Sequence, residues 1–263
     1  YRLVKRVERW LMKEADAFVV LTVRAREILF PESCKTGREK HGRPVEVIPC
    51  CVDMKRFESA TADSRIAVRD ELGIGTRPVV VYVGAFGGWY LTAETADLFG
   101  AMRKRDPETF ALILTQSNRE MIEPKLKEHG YGTADYFIDK VSSADIPRYL
   151  SAADIAVSFI KPCYSKQASS PTKNAEYLAC GVPIIANSGV GDVDALIERN
   201  GVGILVKAFS ADEYSDALSK IETLVLTSDK CRETARREFD LSTVGGLRYR
   251  DIYRRIGDKY GNE

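Results

Sequence analysis

The chain has 263 residues, which is enough for one large domain or for one domain with part of another. Apolar residues make up 44% and charged residues 29%, the balance of an ordinary globular protein. The 39 basic and 38 acidic residues leave a formal net charge of +1. This argues against a dedicated nucleic-acid-binding protein, which would need a basic surface. No apolar run approaches the roughly 20 residues of a membrane span, and nothing resembles a signal peptide.

The amino terminus begins on Tyr1 without a methionine and enters an amphipathic helix at once, which indicates a piece of a longer protein. The apolar face of this helix carries Leu3, Val7, Trp10 and Leu11, with basic residues around it. We expect the face to pack on protein that is missing from this sequence. The alternative is peripheral contact with the inner face of an acidic membrane.

The first sixty residues contain too few elements for a doubly wound sheet. Strand patterns at 17–22 and 45–50 flank a helix pattern at 23–30 and a polar loop at 35–43. We therefore interpret residues 1–59 as the end of an amino-terminal domain and the bridge into the next one.

From residue 77 the patterns of strands and helices alternate. Strands are predicted at 78–83, 110–114, 136–138, 154–160, 182–186 and 203–206. Helices are predicted at 92–105, 146–152, 171–180 and 193–199, with two more opened by caps at Ser117 and Ser210. This alternation predicts an α/β fold, a Rossmann-like doubly wound parallel sheet over residues 60–240. Such sheets bind ligands at the carboxyl ends of their strands.

The segment 169–181 contains the most informative site pattern. Ser170 is predicted to cap a helix whose first residue is Pro171. The amides of Thr172 and Lys173 would then lie unpaired at the positive end of the helix dipole, where a pyrophosphate can bind. The ammonium of Lys173 adds positive charge.

Glu176 lies one turn further along the same helix face and can accept hydrogen bonds from a ribose diol. Gly181 is predicted to end the helix. Spacing alone leaves open an ordinary capped helix with a surface Lys–Glu pair. Lys161, Tyr164 and Lys166 precede this helix and could contact a ligand bound there, but a solvated charged loop explains them better.

Two further loops follow strands and contain glycine pairs, Gly87 and Gly88 in one, Gly189 and Gly191 in the other. Each permits close approach of a ligand to the backbone, and each is also explained by a tight turn. The first differs in spacing from the GxGxxG motif of nicotinamide enzymes.

Six cysteines without a CxxC pair, and only two histidines, argue against a structural metal site. The neighbours Cys50 and Cys51 resemble reduced core residues, which favours a reducing, cytoplasmic location. No hydrolytic constellation emerges, and no metal is expected.

These motifs resemble the family 4 glycosyltransferases of GT-B fold, and specifically their carboxy-terminal, donor-binding half. The most specific match is Ser170-Pro171-Thr172-Lys173 with Glu176-Tyr177-Leu178-Ala179-Cys180-Gly181-Val182-Pro183. Supporting matches are Ala15–Thr22, Val47–Asp53 with Phe57, and Ala153–Val157. The stretch from Tyr249 to Ile256 resembles the terminal helix that crosses back to the first domain, so residues 241–263 form a third segment.

The resemblance implies roles for particular residues. Glu176 would bind the nucleotide ribose, and the helix start at Ser170, Thr172 and Lys173 would hold the diphosphate. The loop at Gly87 and Gly88 would lie by the phosphates, and the backbone of Lys140 and Val141 by the base. Lys173 and Glu176 are the residues expected to support catalysis.

Two positions depart from the family pattern. Ala168 replaces the first glutamate of the family's E-x7-E motif, and Gly88, Trp89 and Tyr90 stand where many members have an Arg/Lys pair. Because of these changes, the sequence does not identify the donor sugar. Lys173 would also have to neutralise more of the negative charge of the phosphates.

The function implied is that of a hexosyltransferase-type glycosyltransferase in glycan biosynthesis. It would use a UDP- or GDP-sugar with retention and no further cofactor. Its partners would be the nucleotide sugar, an amino-terminal half in cis or as a separate chain, and a glycan, lipid or small-molecule acceptor. The alternatives are a non-catalytic nucleotide-sugar-binding or assembly module and a sugar-nucleotide epimerase of related fold. The base, sugar, acceptor and oligomeric state stay open.

Overall fold

The structure is a computed structural model that describes residues 2–224 and 227–260. Tyr1 and the last three positions of the predicted third segment lie outside the described residues. The described strands are β1 Phe18–Val20, β2 Val45–Val47, β3 Val79–Val83, β4 Phe110–Leu114, β5 Tyr136–Asp139, β6 Ile155–Ser158, β7 Ile184–Asn187 and β8 Gly203–Val206.

The described helices surround these strands. They are α1 Arg2–Glu14, α2 Val23–Leu29, α3 Ser33–Thr36, α4 Ala62–Glu71, α5 Thr92–Arg105, α6 Glu123–Glu128, α7 Ile146–Leu150, α8 Thr172–Ala179, α9 Val193–Asn200, α10 Ala211–Thr223, α11 Ser228–Phe239 and α12 Gly246–Tyr260. Short 3-10 turns occur at Met54–Phe57, Arg119–Met121 and Tyr164–Ala168, and a π-turn at Leu241–Gly245. Within the described ranges, no helix combines the length and the apolar character needed to span a bilayer.

Six of the strands form one parallel sheet in the order β5-β4-β3-β6-β7-β8, which confirms the predicted fold class. All five residues of β3 are buried, as expected for a β-branched strand covered by helices on both faces. The chain moves outward from β3 through β4 to β5 and then returns to the other side of β3 with β6. The crevice between β3 and β6 is therefore the topological switch point, where ligands of such sheets bind.

The predicted bounds of the helices and strands agree best with the observed ones where the apolar pattern of the sequence is strong. Helix α5 and strands β4 and β8 have the predicted bounds. The cap predicted at Ser117 is wrong, because its hydroxyl accepts a hydrogen bond from the amide of Phe86 at 2.9 Å. Asn118 instead caps the short turn that precedes α6.

The amino-terminal piece forms a separate two-stranded parallel sheet, β1 with β2. Helix α1 has no buried residue, and its apolar face is uncovered. The carboxyl end of α1 is fixed by Arg43, whose guanidinium donates to the carbonyls of Met12, Lys13 and Ala15. The position of this piece is therefore defined, while the apolar face of α1 is exposed.

Hydrogen bonds to the loops of the larger sheet and to α12 hold the amino-terminal piece. The carboxylate of Asp192 accepts the amides of Val23 and Arg24, at 2.6 and 3.1 Å, and so caps α2. The hydroxyl of Thr22 donates to the carbonyl of Gln167 at 2.7 Å. Helix α12 returns to β2, where Arg248 donates to the carbonyl of Val47 at 2.7 Å. The domain boundaries at 59 and 240 stay a prediction.

Candidate functional site

The site is built around the amino end of α8, which follows β6 at the switch point. Pro171 is the cap residue of this helix, and no side chain caps it. The predicted capping role of Ser170 is wrong, because its hydroxyl accepts the amide of Cys50 at 3.1 Å. The amide of Asn174 is the first in the helix with an acceptor among the described backbone hydrogen bonds. The amides of Thr172 and Lys173 thus lie at the open, positive end of the helix.

The other end of α8 agrees with the prediction. Gly181 has a φ of 81°, a left-handed conformation that favours glycine. Its amide donates to the carbonyl of Leu178 at 2.9 Å, and the amide of Val182 donates to that of Tyr177 at 2.9 Å. The helix is therefore fixed at its carboxyl end while its amino end stays available.

A cavity of about 300 Å³ lies in front of the helix start, at the carboxyl edge of the sheet. It is lined by Val83, Gly84, Trp89, Tyr90, Ile160, Lys166, Ser169, Ser170, Pro171, Thr172, Lys173 and Glu176. Predicted site residues from one helix thus share one cavity with the loops that follow β3 and β6.

Lys173 is buried in the floor of this cavity, with 8% of its surface exposed. Its Nζ has no hydrogen-bond partner. The ammonium lies 4.3 Å from the ring centroid of Tyr82 and 4.5 Å from that of Tyr90. Burial lowers the pKa of Lys173 to about 7, against the opposing field of Glu176. A cation held only by two aromatic rings is under-satisfied and favours an incoming anion.

The walls around Lys173 are fixed by the loop after β3. The hydroxyl of Tyr82 donates to the carbonyl of Ala85 at 2.6 Å, and its ring stacks on Phe86. Gly84 has a φ of 131°, and a Cβ there would lie 3.3 Å from the Nζ of Lys173. Glycine at this position therefore leaves room for the ammonium and for a ligand beside it.

Glu176 is half-buried on the same helix and lines the same cavity. Burial raises the pKa of its carboxyl, while the charges of Arg56 and Lys173 act in the opposite direction. Arg56 lies on the turn Met54–Phe57 and donates to the carbonyl of Ser143, beyond the end of β5. Arg56 therefore connects the surroundings of Glu176 to the loop that contains Lys140 and Val141.

The remaining predicted site residues lie outside the cavity lining. Gly87 and Gly88, with φ of 79° and 60°, form a tight turn that Tyr90 closes by donating its amide to the carbonyl of Gly87 at 3.0 Å. Lys140 is exposed and Val141 half-buried at the end of β5, two strands from β3. Their assignment to phosphates and base stays a prediction.

The sequence patterns missed or undervalued three residues of the site: Gly84 and Lys166 line the cavity, and the ring of Tyr82 contacts the ammonium of Lys173. Gly84 directly follows a predicted strand, so its place at the strand end is a usable signal. Tyr82 is the one residue other than valine in a buried strand, and nothing in that pattern indicates contact with Lys173. The pattern favours a solvated loop for Lys166, yet its Nζ lies 4.8 Å above the ring of Trp89 in the cavity wall. Within the described ranges no three His, Cys, Asp or Glu side chains converge on a possible metal position.

A doubly wound parallel sheet with an open helix end at its switch point is an arrangement in which many α/β domains bind phosphate groups. The family model of the glycosyl transferases group 1 matches residues 64–238, most of the chain. The chain belongs to this family, as the motif resemblance indicated.

Two characterised relatives have similar sequences. The chain is 26% identical over 266 residues to the alpha-D-kanosaminyltransferase of Streptomyces kanamyceticus, covering 97% of this chain and 64% of that protein. It is 24% identical over 183 residues to the GDP-mannose-dependent alpha-(1-6)-phosphatidylinositol monomannoside mannosyltransferase of Mycolicibacterium smegmatis, covering 67% and 47%. The chain therefore spans just under half of one relative and just under two thirds of the other.

Solved glycosyltransferase structures share the fold. The sucrose-phosphate synthase of Thermosynechococcus elongatus aligns with a TM-score of 0.68 and 19% identity, covering 97% of this chain and 61% of that one. The Anabaena protein HepE in complex with UDP-glucose aligns with a TM-score of 0.66 and 17% identity, covering 95% and 64%. At these identities the likeness establishes the fold alone, that of the GT-B glycosyltransferases.

Proposed function

We propose that the whole protein transfers a sugar from a nucleoside-diphosphate sugar to an acceptor hydroxyl, and that this chain binds the donor. The observation that carries the proposal is the buried ammonium of Lys173, without a hydrogen-bond partner, beside the open amino end of α8. A diphosphate there would accept from the amides of Thr172 and Lys173 and would pair with the ammonium.

In the transfer step, the bond between the anomeric carbon and the β-phosphate oxygen breaks, and its electron pair leaves with the diphosphate. The acceptor oxygen forms the new bond to the anomeric carbon, and its proton passes to an oxygen of the leaving diphosphate. Lys173 and the helix amides would stabilise the growing charge on the leaving diphosphate, a contribution that is often large in a water-poor site. We propose retention at the anomeric carbon, as in the family that the chain resembles.

Glu176 is proposed to accept hydrogen bonds from the ribose hydroxyls of the nucleotide. It lies on the cavity side of α8, one turn from Lys173, and its carboxyl is half-buried. The loop that follows β5, joined to this region through Arg56, is the proposed place of the base. Lys140 and Val141 belong to that loop.

The donor is proposed to be a UDP- or GDP-sugar. The mycobacterial relative is named as GDP-mannose-dependent, and HepE was solved with UDP-glucose. We propose no metal and no cofactor besides the donor.

The acceptor side is proposed to lie in an amino-terminal half, in cis or as a separate chain. Helix α1 and strand β1 carry the exposed apolar side chains of Leu3, Val4, Val7, Trp10, Leu11 and Val19. A two-stranded parallel sheet needs further strands and a covering layer, because parallel pairs are stable only when buried. We favour a protein partner over a membrane because the same partner would cover α1 and complete this sheet.

A pair of measurements tests the proposal. Calorimetric titration of this chain with UDP, GDP and ADP is expected to show binding of one diphosphate, lost in Lys173→Met. A protein that also contains the amino-terminal half is expected to release the same diphosphate from its nucleotide sugar when acceptor is present. Absence of binding by any diphosphate in both proteins would overturn the donor-site proposal.

The two alternatives predict different results. A non-catalytic binding module would bind the diphosphate but release none in the longer protein. An epimerase would convert the nucleotide sugar without an acceptor. Membership of the glycosyltransferase family and the glycosyltransferase relatives do not favour either one.

A further inference from the structure

The proposed donor brings more negative charge than Lys173 can balance. A nucleoside diphosphate carries more than one negative charge, whereas Lys173 supplies at most one positive charge and has a pKa of about 7. Glu176 adds a negative charge to the same cavity. The helix end contributes only about half an elementary charge. A second cation at this cavity would therefore have a clear electrostatic role.

Lys166 is the other cationic side chain among the described residues that line the cavity. It is half-buried, in contrast to Lys173 in the floor. Its Nζ lies 4.8 Å from the ring centroid of Trp89, whose side chain is 49% exposed. The aromatic face holds the long lysine chain in place at little cost to its charge, because a cation–π contact does not neutralise the ammonium.

The backbone of Lys166 is anchored from two sides. Its carbonyl accepts the amide of Gly191 at 2.9 Å, in the loop after β7. The carbonyl of the next residue, Gln167, accepts the hydroxyl of Thr22 from the amino-terminal piece at 2.7 Å. The side chain of this lysine therefore starts from a fixed point rather than from a free loop.

We infer that Lys166, supported by Trp89, is a second diphosphate-binding residue, which shares the cavity with Lys173. This inference rests on the proposed donor site. It also gives a role to Trp89, which stands in the turn where the sequence lacks the Arg/Lys pair of many relatives. We assign the diphosphate rather than the nucleoside as the partner of Lys166, because an ammonium pairs most strongly with an anionic group.

The test compares nucleoside diphosphates with monophosphates in calorimetric titrations of the whole chain. In Lys166→Gln, affinity for the preferred diphosphate is expected to fall about tenfold or more, as for loss of a charged hydrogen bond. Affinity for the matching monophosphate is expected to change less than about threefold. Lys161→Gln is the matched control, since Lys161 lies in the same loop, is exposed and does not line the cavity.

Trp89 is tested as a positioning residue. Trp89→Leu is expected to reproduce the diphosphate-selective loss, and Trp89→Phe to restore part of it, because an aromatic face remains. The loss of diphosphate affinity in Trp89→Leu and its partial recovery in Trp89→Phe are both expected to become smaller at high salt, since Lys166 is only half-buried.

The outcomes separate this inference from the proposed function. If the unaltered chain binds diphosphate and Lys166→Gln binds it equally well, the inference is wrong and the donor site stands. Equal losses for mono- and diphosphate would also contradict it. If the unaltered chain binds no nucleotide, the donor site itself fails and the inference fails with it.

Discussion

The ammonium of Lys173 lies 4.3 Å from the ring centroid of Tyr82, beside a strand whose residues are all buried. Lys173 comes from α8, after β6, and Tyr82 comes from β3, so the contact crosses the switch point. Because the Nζ has no hydrogen-bond partner, the folded chain keeps an electrostatic cost that an anionic ligand would relieve.

Replacement of Lys173 is expected to change stability and binding in opposite directions. Lys173→Met removes an unpartnered buried charge, so the free energy of unfolding should rise, on the order of 1–3 kcal/mol. Affinity for a nucleoside diphosphate should fall by about 1.5–3 kcal/mol. Chemical denaturation and calorimetric titration measure the two effects. Lys161→Met is the exposed control, and a loss of stability in Lys173→Met would contradict this account.

Glu176 is expected to distinguish ribose from deoxyribose. In Glu176→Gln, affinity for the ribonucleoside diphosphate should fall by about 1.5–3 kcal/mol, because a charged acceptor is lost. Affinity for the 2′-deoxy analogue should change far less if the 2′-hydroxyl is a main partner. The four titrations form a double-mutant cycle. Independent, additive effects of the two changes would show that Glu176 does not bind the 2′-hydroxyl.

Binding is expected to take up a proton above neutral pH. The pKa of Lys173 is lowered to about 7 in the free fold, so at pH 8.5 most molecules hold it neutral. An anion favours the charged form, which raises this pKa and draws a proton from solvent. Diphosphate affinity should therefore fall as pH rises above 7.

Titrations at pH 8.5 in buffers of different ionisation enthalpy measure this proton uptake. Lys173→Met should show none beyond that of the nucleotide itself. Equal uptake in the two proteins would assign the proton to another group.

The lowered pKa of Lys173 also makes stability depend on pH, and stability should rise with pH where diphosphate affinity falls. An unfolded lysine has a pKa of about 10.4, so between pH 7 and 10 the unfolded chain binds more protons than the folded one. The contribution of Lys173 to stability should therefore improve as pH rises through this window. The difference in unfolding free energy between the unaltered chain and Lys173→Met should narrow from pH 7 to pH 10.

Gly191 is expected to be intolerant of any side chain. A Cβ there would lie 2.1 Å from the carbonyl oxygen of Ser169, and the residue has a φ of 48°. Gly191→Ala should cost about 1–3 kcal/mol of stability. It should also weaken diphosphate binding, because Ser169 lies just before α8. Gly257→Ala, with open space around the added Cβ, should be neutral or slightly stabilising. Equal stability of the two variants, measured by chemical denaturation, would show that the close approach of Gly191 to Ser169 does not constrain the fold.

The sequence predicted the parts of this fold that depend on local pattern. Strand β3 is a run of valines with one tyrosine, and its burial on both faces follows from that composition. Helix α5 and strand β4 have the predicted bounds because polar turns flank clear apolar periods. The Ser-Pro pair placed the start of α8 within one residue, although Pro171 is the cap residue and Thr172 the first helical one.

Other features depend on partners distant in the chain and were not predictable from spacing. The hydroxyl of Ser170 pairs with the amide of Cys50, 120 positions away, so a good local cap becomes a contact between segments. The burial of Lys173 depends on Tyr82, a residue that the pattern assigns only to a core strand. Gly84, rather than Gly87 or Gly88, is the glycine at which an added Cβ would meet the ammonium of Lys173, and this contact depends on how α8 packs against β3.

The central claim is that the amino end of α8 binds the diphosphate of a nucleotide sugar. A crystal structure of this chain with the diphosphate that binds most tightly tests it most directly. We predict the β-phosphate within hydrogen-bond distance of the amides of Thr172 and Lys173, with the ammonium of Lys173 in contact and a ribose hydroxyl on Glu176. A nucleotide bound elsewhere, such as in the groove between α5 and α10, with the start of α8 empty, would contradict the account.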